Sequence, residues 1–172
     1  MPQIVFLRAV NIGGHQTFQP SELARDLAAL DIVNIGAAGT FVVRNKITEG
    51  KLRKEILARL PFTPELMICP ADEILSLRNV KEFKNPDASI QRYVTIMAKA
   101  PAKAPRLPIS APEEEEWQVR VVALTGRYVL SLRRAGGKSR VYPNEIVEKR
   151  LGITATTRNW TTIAKIYDIL AQ

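Results

Sequence analysis

Short apolar runs separated by glycine and proline set the strongest limit on how this chain can fold. Residues 4–7 form one such run, and Asn-Ile-Gly-Gly follows at residues 11–14, which is typical of a buried strand followed by a turn. Residues 32–35 and 40–43 are rich in β-branched and aromatic side chains and are separated by glycines, so they predict two paired strands. Residues 65–69 form another apolar run that ends at Pro70. The first 70 residues therefore predict four strands.

Helix signals fall between the first two of these strands and between the last two. Pro20 opens a segment with leucines at helical spacing, and Thr48 caps a second segment that Pro61 ends. The resulting order, β-α-β-β-α-β, is that of the split βαβ arrangement of a ferredoxin-like sandwich. We expect residues 1–70 to form this subdomain, with an antiparallel sheet and both helices on one face.

Residues 71–172 predict a second α+β subdomain with a looser pattern. Four prolines make residues 99–112 an extended, non-helical connection. The expected elements are strands at 92–97, 117–124 and 128–132, a helix from Pro143 to Gly152, and a C-terminal helix that begins near Asn159.

Composition excludes several classes of protein. The 172 residues are 46% hydrophobic and 24% charged, as in an ordinary soluble globular protein. No apolar run approaches the roughly 18–20 residues of a transmembrane helix, and the N-terminus carries no secretory signal, so we expect a cytoplasmic protein. Cys69 and His15 are the only residues of their types, which excludes a disulfide and metal sites built on several cysteines or imidazoles. We predict no metal and no cofactor.

The net charge of +8 is concentrated in one segment. Residues 117–165 carry ten basic side chains against only Glu145 and Glu148, which equals the excess of the whole chain. Such a concentration attracts phosphates, nucleic acid or an acidic partner. The alternative is a solvated basic face, since few aromatic residues are interleaved with the cations. If the segment binds nucleic acid, the residues predicted to do so are Arg120, Arg127, Arg133, Arg134, Lys138 and Arg140.

Two motifs of enzymes are incomplete here. The loop over residues 134–139 ends like a phosphate-binding loop, but Leu132 stands where the first glycine belongs and Pro143 follows where a helix should already run. We interpret it as a glycine-rich turn. No serine or threonine has an evident base partner, so no catalytic residue is predicted and the question of enzymatic activity stays open.

Three segments carry motifs of one protein family. Residues 6–14, Phe-Leu-Arg-Ala-Val-Asn-Ile-Gly-Gly, are similar to the Leu-Leu-Arg-Gly-Ile-Asn-Val-Gly-Gly signature of the domain of unknown function 1697 family. Residues 142–149 resemble its Phe-Pro-Asn-x-x-x-Glu-Lys segment, and residues 155–162 resemble its closing Thr-Thr-Arg-Asn-Trp-Asn-Thr motif. Two differences stand out: Ala9 replaces a glycine, and residues 37–43 lack a serine and an asparagine of the family pattern.

The resemblance implies an α+β fold of two associated ferredoxin-like subdomains with a C-terminal helix, and a bacterial source. It implies no reaction. We hypothesise that polar residues from the two ends of the chain form one pocket between the subdomains for a small phosphate- or carboxylate-bearing ligand. Two structural alternatives stay open, in which the arginines bind backbone carbonyls and the asparagine caps the last helix. The residues of the predicted pocket are Arg8, Asn11, Gly13, Gly14, Arg158 and Asn159.

Overall fold

The computed structural model describes residues 1–84, 87–113, 116–136 and 141–172. The chain divides into two compact units. Unit 1 comprises Met1–Leu75 together with Ala164–Gln172, and unit 2 comprises Ser76–Ile163.

The first six elements of the chain belong to unit 1. They are β1 (Gln3–Leu7), α1 (Pro20–Asp26), β2 (Ile32–Asn34), β3 (Thr40–Val43), α2 (Glu49–Leu57) and β4 (Leu66–Pro70), followed by the short helix α3 (Ala71–Ser76). The strands form an antiparallel sheet in the order β2-β3-β1-β4. This element order and this strand order confirm the predicted ferredoxin-like arrangement.

The core of unit 1 lies between the sheet and the two longer helices. Val5 and Phe41 are fully buried and belong to one apolar cluster with Leu23 of α1 and Leu52 of α2. Gly39 precedes β3 with a φ of +72°, and a Cβ there would lie 2.7 Å from Cβ of Leu7. Only glycine therefore allows this turn to approach β1 so closely.

Unit 2 contains the second sheet. Its elements are β5 (Ile90–Met97), β6 (Ile109–Ala111), β7 (Val119–Thr125), β8 (Tyr128–Arg134), α4 (Pro143–Leu151) and β9 (Ala155–Asn159), and α5 (Trp160–Leu170) begins directly after β9. The antiparallel strand order is β6-β7-β8-β5-β9. Without β6, the order β7-β8-β5-β9 matches that of unit 1.

Unit 2 differs from unit 1 between its first two strands. Where unit 1 has α1, residues 98–108 of unit 2 form no helix and lead into the edge strand β6. The core therefore uses a single long helix on one sheet face: Ile146 and Val147 of α4 pack with Met97, Val129 and Ala155. This helix ends at Gly152 in a left-handed conformation with φ +65°, as the sequence predicts.

Two features of unit 2 were not predicted. These are the strands β6 and β9, which are short and rich in polar or small residues, so neither shows a period-2 apolar pattern.

No helix in the described part of the chain combines the length and the apolar character needed to cross a membrane.

Candidate functional site

Two arginines of the basic segment stack on one tryptophan in unit 2. Cζ of Arg134 lies 4.4 Å from the centroid of the Trp117 ring, and Cζ of Arg120 lies 4.6 Å from it. Nε of Arg120 donates to Oγ of Ser110 at 3.1 Å, and Arg134 forms an ion pair with Glu116. A guanidinium over an aromatic face is attracted by the ring quadrupole and keeps its N–H groups in a plane beside the ring.

A third arginine stacks on a tyrosine at the same end of the hairpin. Cζ of Arg133, the neighbour of Arg134 at the end of β8, lies 5.2 Å from the centroid of the Tyr142 ring. Tyr142 is 48% exposed. Val119 of β7 pairs with Arg133 and Arg120 pairs with Leu132, so the three cations lie at the same end of the β7–β8 ladder. Because side chains alternate along a strand, Arg120 and Arg134 lie on one face of the sheet and Arg133 lies on the other. We call Arg120, Arg133 and Arg134, with Trp117 and Tyr142, the stacked arginine cluster.

The other predicted nucleic-acid residues are not part of this cluster. Arg127 lies in the turn at the opposite end of the β7–β8 hairpin, with Cζ 5.9 Å from the Tyr128 ring centroid. The seven-residue strand β8 separates it from the cluster by roughly 20 Å. Lys138 and Arg140 lie outside the described residues, as does half of the glycine-rich loop over residues 134–139.

The residues of unit 1 predicted to bind an anion have partners within that unit. Nε of Arg8 lies 3.9 Å from Oε2 of Glu65. The side-chain amide of Asn11 makes two hydrogen bonds. Its Nδ2 donates to the Ala37 carbonyl at 2.8 Å, and its Oδ1 accepts from the Phe18 amide at 2.9 Å. The structure therefore gives Asn11 a clear role in shaping the loop.

The paired glycines after β1 form the tip of a small hairpin. Ile12 and His15 pair across Gly13 and Gly14, whose φ angles are +57° and +77°. Two consecutive residues with positive φ are typical of a type I′ turn, which glycine adopts most easily. A Cβ at either glycine would meet nothing within 4 Å, so backbone conformation alone accounts for them.

Arg158 is a buried cation on β9. Its side chain is 6% exposed, and Nη1 donates to Oγ1 of Thr156 at 2.8 Å and to the Thr157 carbonyl at 2.9 Å. Burial lowers the pKa of the Arg158 guanidinium to about 10, because the charged form loses hydration. That Arg8 and Arg158 act on one ligand stays a prediction.

Asn159 caps the last helix, as one of the sequence-based alternatives proposed. Its Oδ1 accepts hydrogen bonds from the amide and from the hydroxyl of Thr162, each at 2.9 Å. This orients the amide group so that Nδ2 points away from the helix end, and Nδ2 has no hydrogen-bond partner among the described residues.

Two overlapping cavities lie along the edge strand β6. Their volumes are about 470 and 320 Å³, and both are lined by Ile109, Ser110, Glu113 and Arg150. Glu113 and Arg150 form an ion pair across them, and Glu145 lines the smaller cavity. The larger cavity is also lined by Arg106 and the smaller one by Lys149, so cations offset the carboxylates in both.

Sequence reasoning missed the aromatic half of the stacked arginine cluster. Trp117 stands three residues before Arg120, and Tyr142 stands nine residues after Arg133, so spacing along the sequence did not pair them.

No group of three or more His, Cys, Asp or Glu side chains in the described ranges could hold a metal ion.

Comparisons with known proteins support the fold and the family. The family described as Protein of unknown function (DUF1697) matches residues 1–125. No curated protein matches the sequence. A solved structure, the conserved bacterial protein SP0830 from Streptococcus pneumoniae, is similar over 98% of both chains, with a TM-score of 0.65 and 15% sequence identity. At that identity the likeness shows the fold. Because the family match covers most of the chain, this protein belongs to the DUF1697 family.

Proposed function

We propose that unit 2 binds nucleic acid through the stacked arginine cluster. The observation that carries the proposal is the stacking of three arginines on two aromatic rings at one end of the β7–β8 hairpin. A stacked guanidinium loses less side-chain entropy when it binds a phosphate, because its plane is already oriented. Several such groups close together fit a chain of phosphates better than a single small anion.

The charge distribution supports the same conclusion. The segment that contains the cluster carries the basic excess of the whole chain, and this excess steers polyanions toward unit 2. The carboxylate of Glu116 already pairs with the guanidinium of Arg134, so a phosphate that binds Arg134 competes with this ion pair. Arg120, whose Nε donates to the uncharged hydroxyl of Ser110, is therefore expected to contribute more to affinity than Arg134.

The test is the fluorescence anisotropy of a labelled 20-nucleotide single strand and of its duplex, titrated with protein at several salt concentrations. The variant replaces Arg120, Arg133 and Arg134 by Gln. We expect wild-type affinity to fall steeply with salt, and the variant to lose affinity and to have a shallower slope, by about 0.7–0.9 per lost phosphate contact.

A charge-matched control separates a defined site from general attraction. Arg25, Lys46 and Lys51 are exposed in unit 1, and their replacement by Gln changes the net charge by the same amount. This control is expected to bind nearly as well as wild type. Equal losses in both triple variants would show that only net charge matters, and no binding at low salt would refute the proposal.

A second candidate function, binding of a small phosphate- or carboxylate-bearing ligand, is favoured by one observation, the burial of Arg158. A guanidinium removed from water attracts an anion more strongly than an exposed one. Calorimetric titration with inorganic phosphate tests it, with Arg158→Lys as the variant that keeps the charge but loses the fork of donors. Heat of binding that Arg158→Lys abolishes supports this candidate, and equal heats in both proteins contradict it.

A further inference from the structure

The sheet of unit 2 has one face that its helix covers only in part. Side chains alternate between faces along a strand, so the cross-strand pairs identify which residues share each face. Met97, Val129 and Ala155 lie on the face that packs against α4. Along β5, β8 and β9 the same face changes from apolar to polar two residues further in the same direction, whereas β7 keeps the buried Val121 and Val119 beside Ser131 and Arg133.

The polar half of this face is centred on Tyr93. Tyr93 is two strand positions from Thr95 and four from Met97, and it pairs directly with Ser131 of β8 and with Asn159 of β9. Gln91 continues the face and pairs with Arg133 of the stacked arginine cluster. We call the following seven residues the polar sheet face: Gln91, Tyr93, Thr95, Ser131, Arg133, Thr157 and Asn159.

Burial changes gradually across the polar sheet face. Thr95 and Ser131 are fully buried next to the apolar core, Tyr93 is partly exposed, and Gln91 and Asn159 are exposed. The hydroxyl groups of Thr95 and Ser131 are therefore covered, and the face reaches solvent at Gln91, Tyr93 and Asn159. This exposed end carries polar groups and can contact water or a polar ligand.

Tyr93 supplies a flat aromatic surface at the centre of this face. Its hydroxyl donates to Oε1 of Gln91, two residues earlier on the same strand, at 3.0 Å. This bond ties the end of the ring to a neighbour on β5, and the Tyr93 side chain is partly exposed. Aromatic rings fixed on a central strand are the surfaces on which single-stranded bases stack in sheet-based RNA-binding modules.

Groups that can recognise a base and its phosphate surround the ring. Nδ2 of Asn159, directly across from Tyr93, has no hydrogen-bond partner in the described part of the chain and can donate to the edge of a base. Arg133 lies diagonally across on β8, at a distance of roughly 7–8 Å between strand positions. The polar sheet face contains no acidic residue, so a phosphate backbone meets no repulsion from it.

We propose that the polar sheet face binds one base of a single-stranded nucleic acid, with Tyr93 as the stacking platform and Asn159 as a donor to the base edge. This inference rests on the proposed function and adds its specificity: the strand must be unpaired, because a base inside a duplex cannot present its face to a tyrosine. Arg133 lies on the polar sheet face, whereas Arg120 and Arg134 lie on the opposite face at the same end of the hairpin.

The experiment compares a 10-nucleotide single strand with an abasic strand of the same length and charge, using anisotropy at fixed salt. Wild type should bind the normal strand about tenfold more tightly, the size expected for one stacked base. Tyr93→Ala should lose this preference by weakening only the normal strand. Tyr93→Phe keeps the ring and should bind like wild type. If Tyr93→Ala does not fold, as judged by circular dichroism, Tyr93→Leu removes the ring and keeps an apolar side chain.

The outcomes separate the two proposals. If the arginine variants lose binding while Tyr93→Ala and Tyr93→Leu keep the tenfold preference, the base site is wrong and the polyanion site stands. If wild type binds normal and abasic strands equally, the base site is also wrong. If wild type binds neither strand, both proposals are refuted.

Discussion

The guanidinium of Arg134 lies over the indole of Trp117, with 4.4 Å between Cζ and the ring centroid. Arg120 lies 4.6 Å from the same centroid, so one indole orients two cations from neighbouring strands. This arrangement makes Trp117 important for both stability and phosphate binding.

Replacing Trp117 by Ala should lower the free energy of unfolding by about 2 kcal/mol, because two cation–π contacts and the packing of the indole are lost. Urea unfolding measures this change. Nucleic-acid affinity should fall as well, since both guanidiniums lose their orientation. Trp117→Phe retains an aromatic face and should recover part of both losses; an alanine variant as stable as wild type would contradict this role.

Replacing Gly39 by Ala should destabilise unit 1 more than replacing Gly36. Both glycines have positive φ, +72° and +69°, so both alanines bear a backbone cost of about 1–2 kcal/mol. At Gly39 the added Cβ would also lie 2.7 Å from Cβ of Leu7 and 2.9 Å from Cγ2 of Val10, whereas at Gly36 it meets nothing within 4 Å. We expect a further loss of about 1–3 kcal/mol for Gly39→Ala. Equal midpoints in urea would show that β1 adjusts without cost.

Replacing Asn11 by Ala should loosen the loop after β1. The change removes hydrogen bonds to Ala37 and Phe18 and places alanine at a φ of +54°. The expected loss is about 2 kcal/mol in urea unfolding, together with faster proteolysis of residues 9–18. A variant of unchanged stability that loses affinity for phosphate would instead support the predicted role of Asn11 in ligand binding.

The buried Arg158 should make the free energy of unfolding depend on pH. Burial lowers its pKa to about 10 in the folded protein, below the ordinary value that it keeps in the unfolded chain, so between these two pKa values the unfolded chain binds more protons than the folded one. Stability contributed by this residue therefore rises with pH over that window, by at most about 1.4 kcal/mol per pH unit. Below pH 10 the burial of the charge lowers stability by a constant amount.

The check compares wild type with Arg158→Met in urea at pH 9, 10 and 11. Other groups titrate in both proteins, so only the difference between the two unfolding free energies is interpreted. Wild type should gain stability relative to the variant as the pH rises above 10. A difference that is constant with pH would show that Arg158 keeps its ordinary pKa.

The fold of unit 1 could be predicted in detail because its signals are local. Pro20, Thr48 and the glycines around β2 and β3 mark ends of elements, and the apolar runs between them are long enough to identify strands. In unit 2 the strand β9, Ala-Thr-Thr-Arg-Asn, carries no apolar alternation. It forms because β5 supplies a partner edge, and pairing of this kind depends on contacts between residues about 60 positions apart.

The candidate site, too, could be predicted from the sequence only in part. The concentration of positive charge between residues 117 and 165 is visible in the sequence. Which cations come together is not, because Arg127 and Arg133 are six residues apart in the chain and lie at opposite ends of a hairpin. The sequence predicts Asn159 as a binding residue, whereas it predicts Tyr93 only as part of a strand.

The sequence by itself determined where chain reversals and most helices and strands occur, and where the charge lies, since these follow from residue type and near neighbours. Only the tertiary structure decided that Tyr93 faces Asn159 and Ser131 and that Trp117 lies beneath two arginines. The physical reason is strand register: a shift of one residue in pairing would turn every side chain of β5 to the other face, and register is set by the packing of whole sheets.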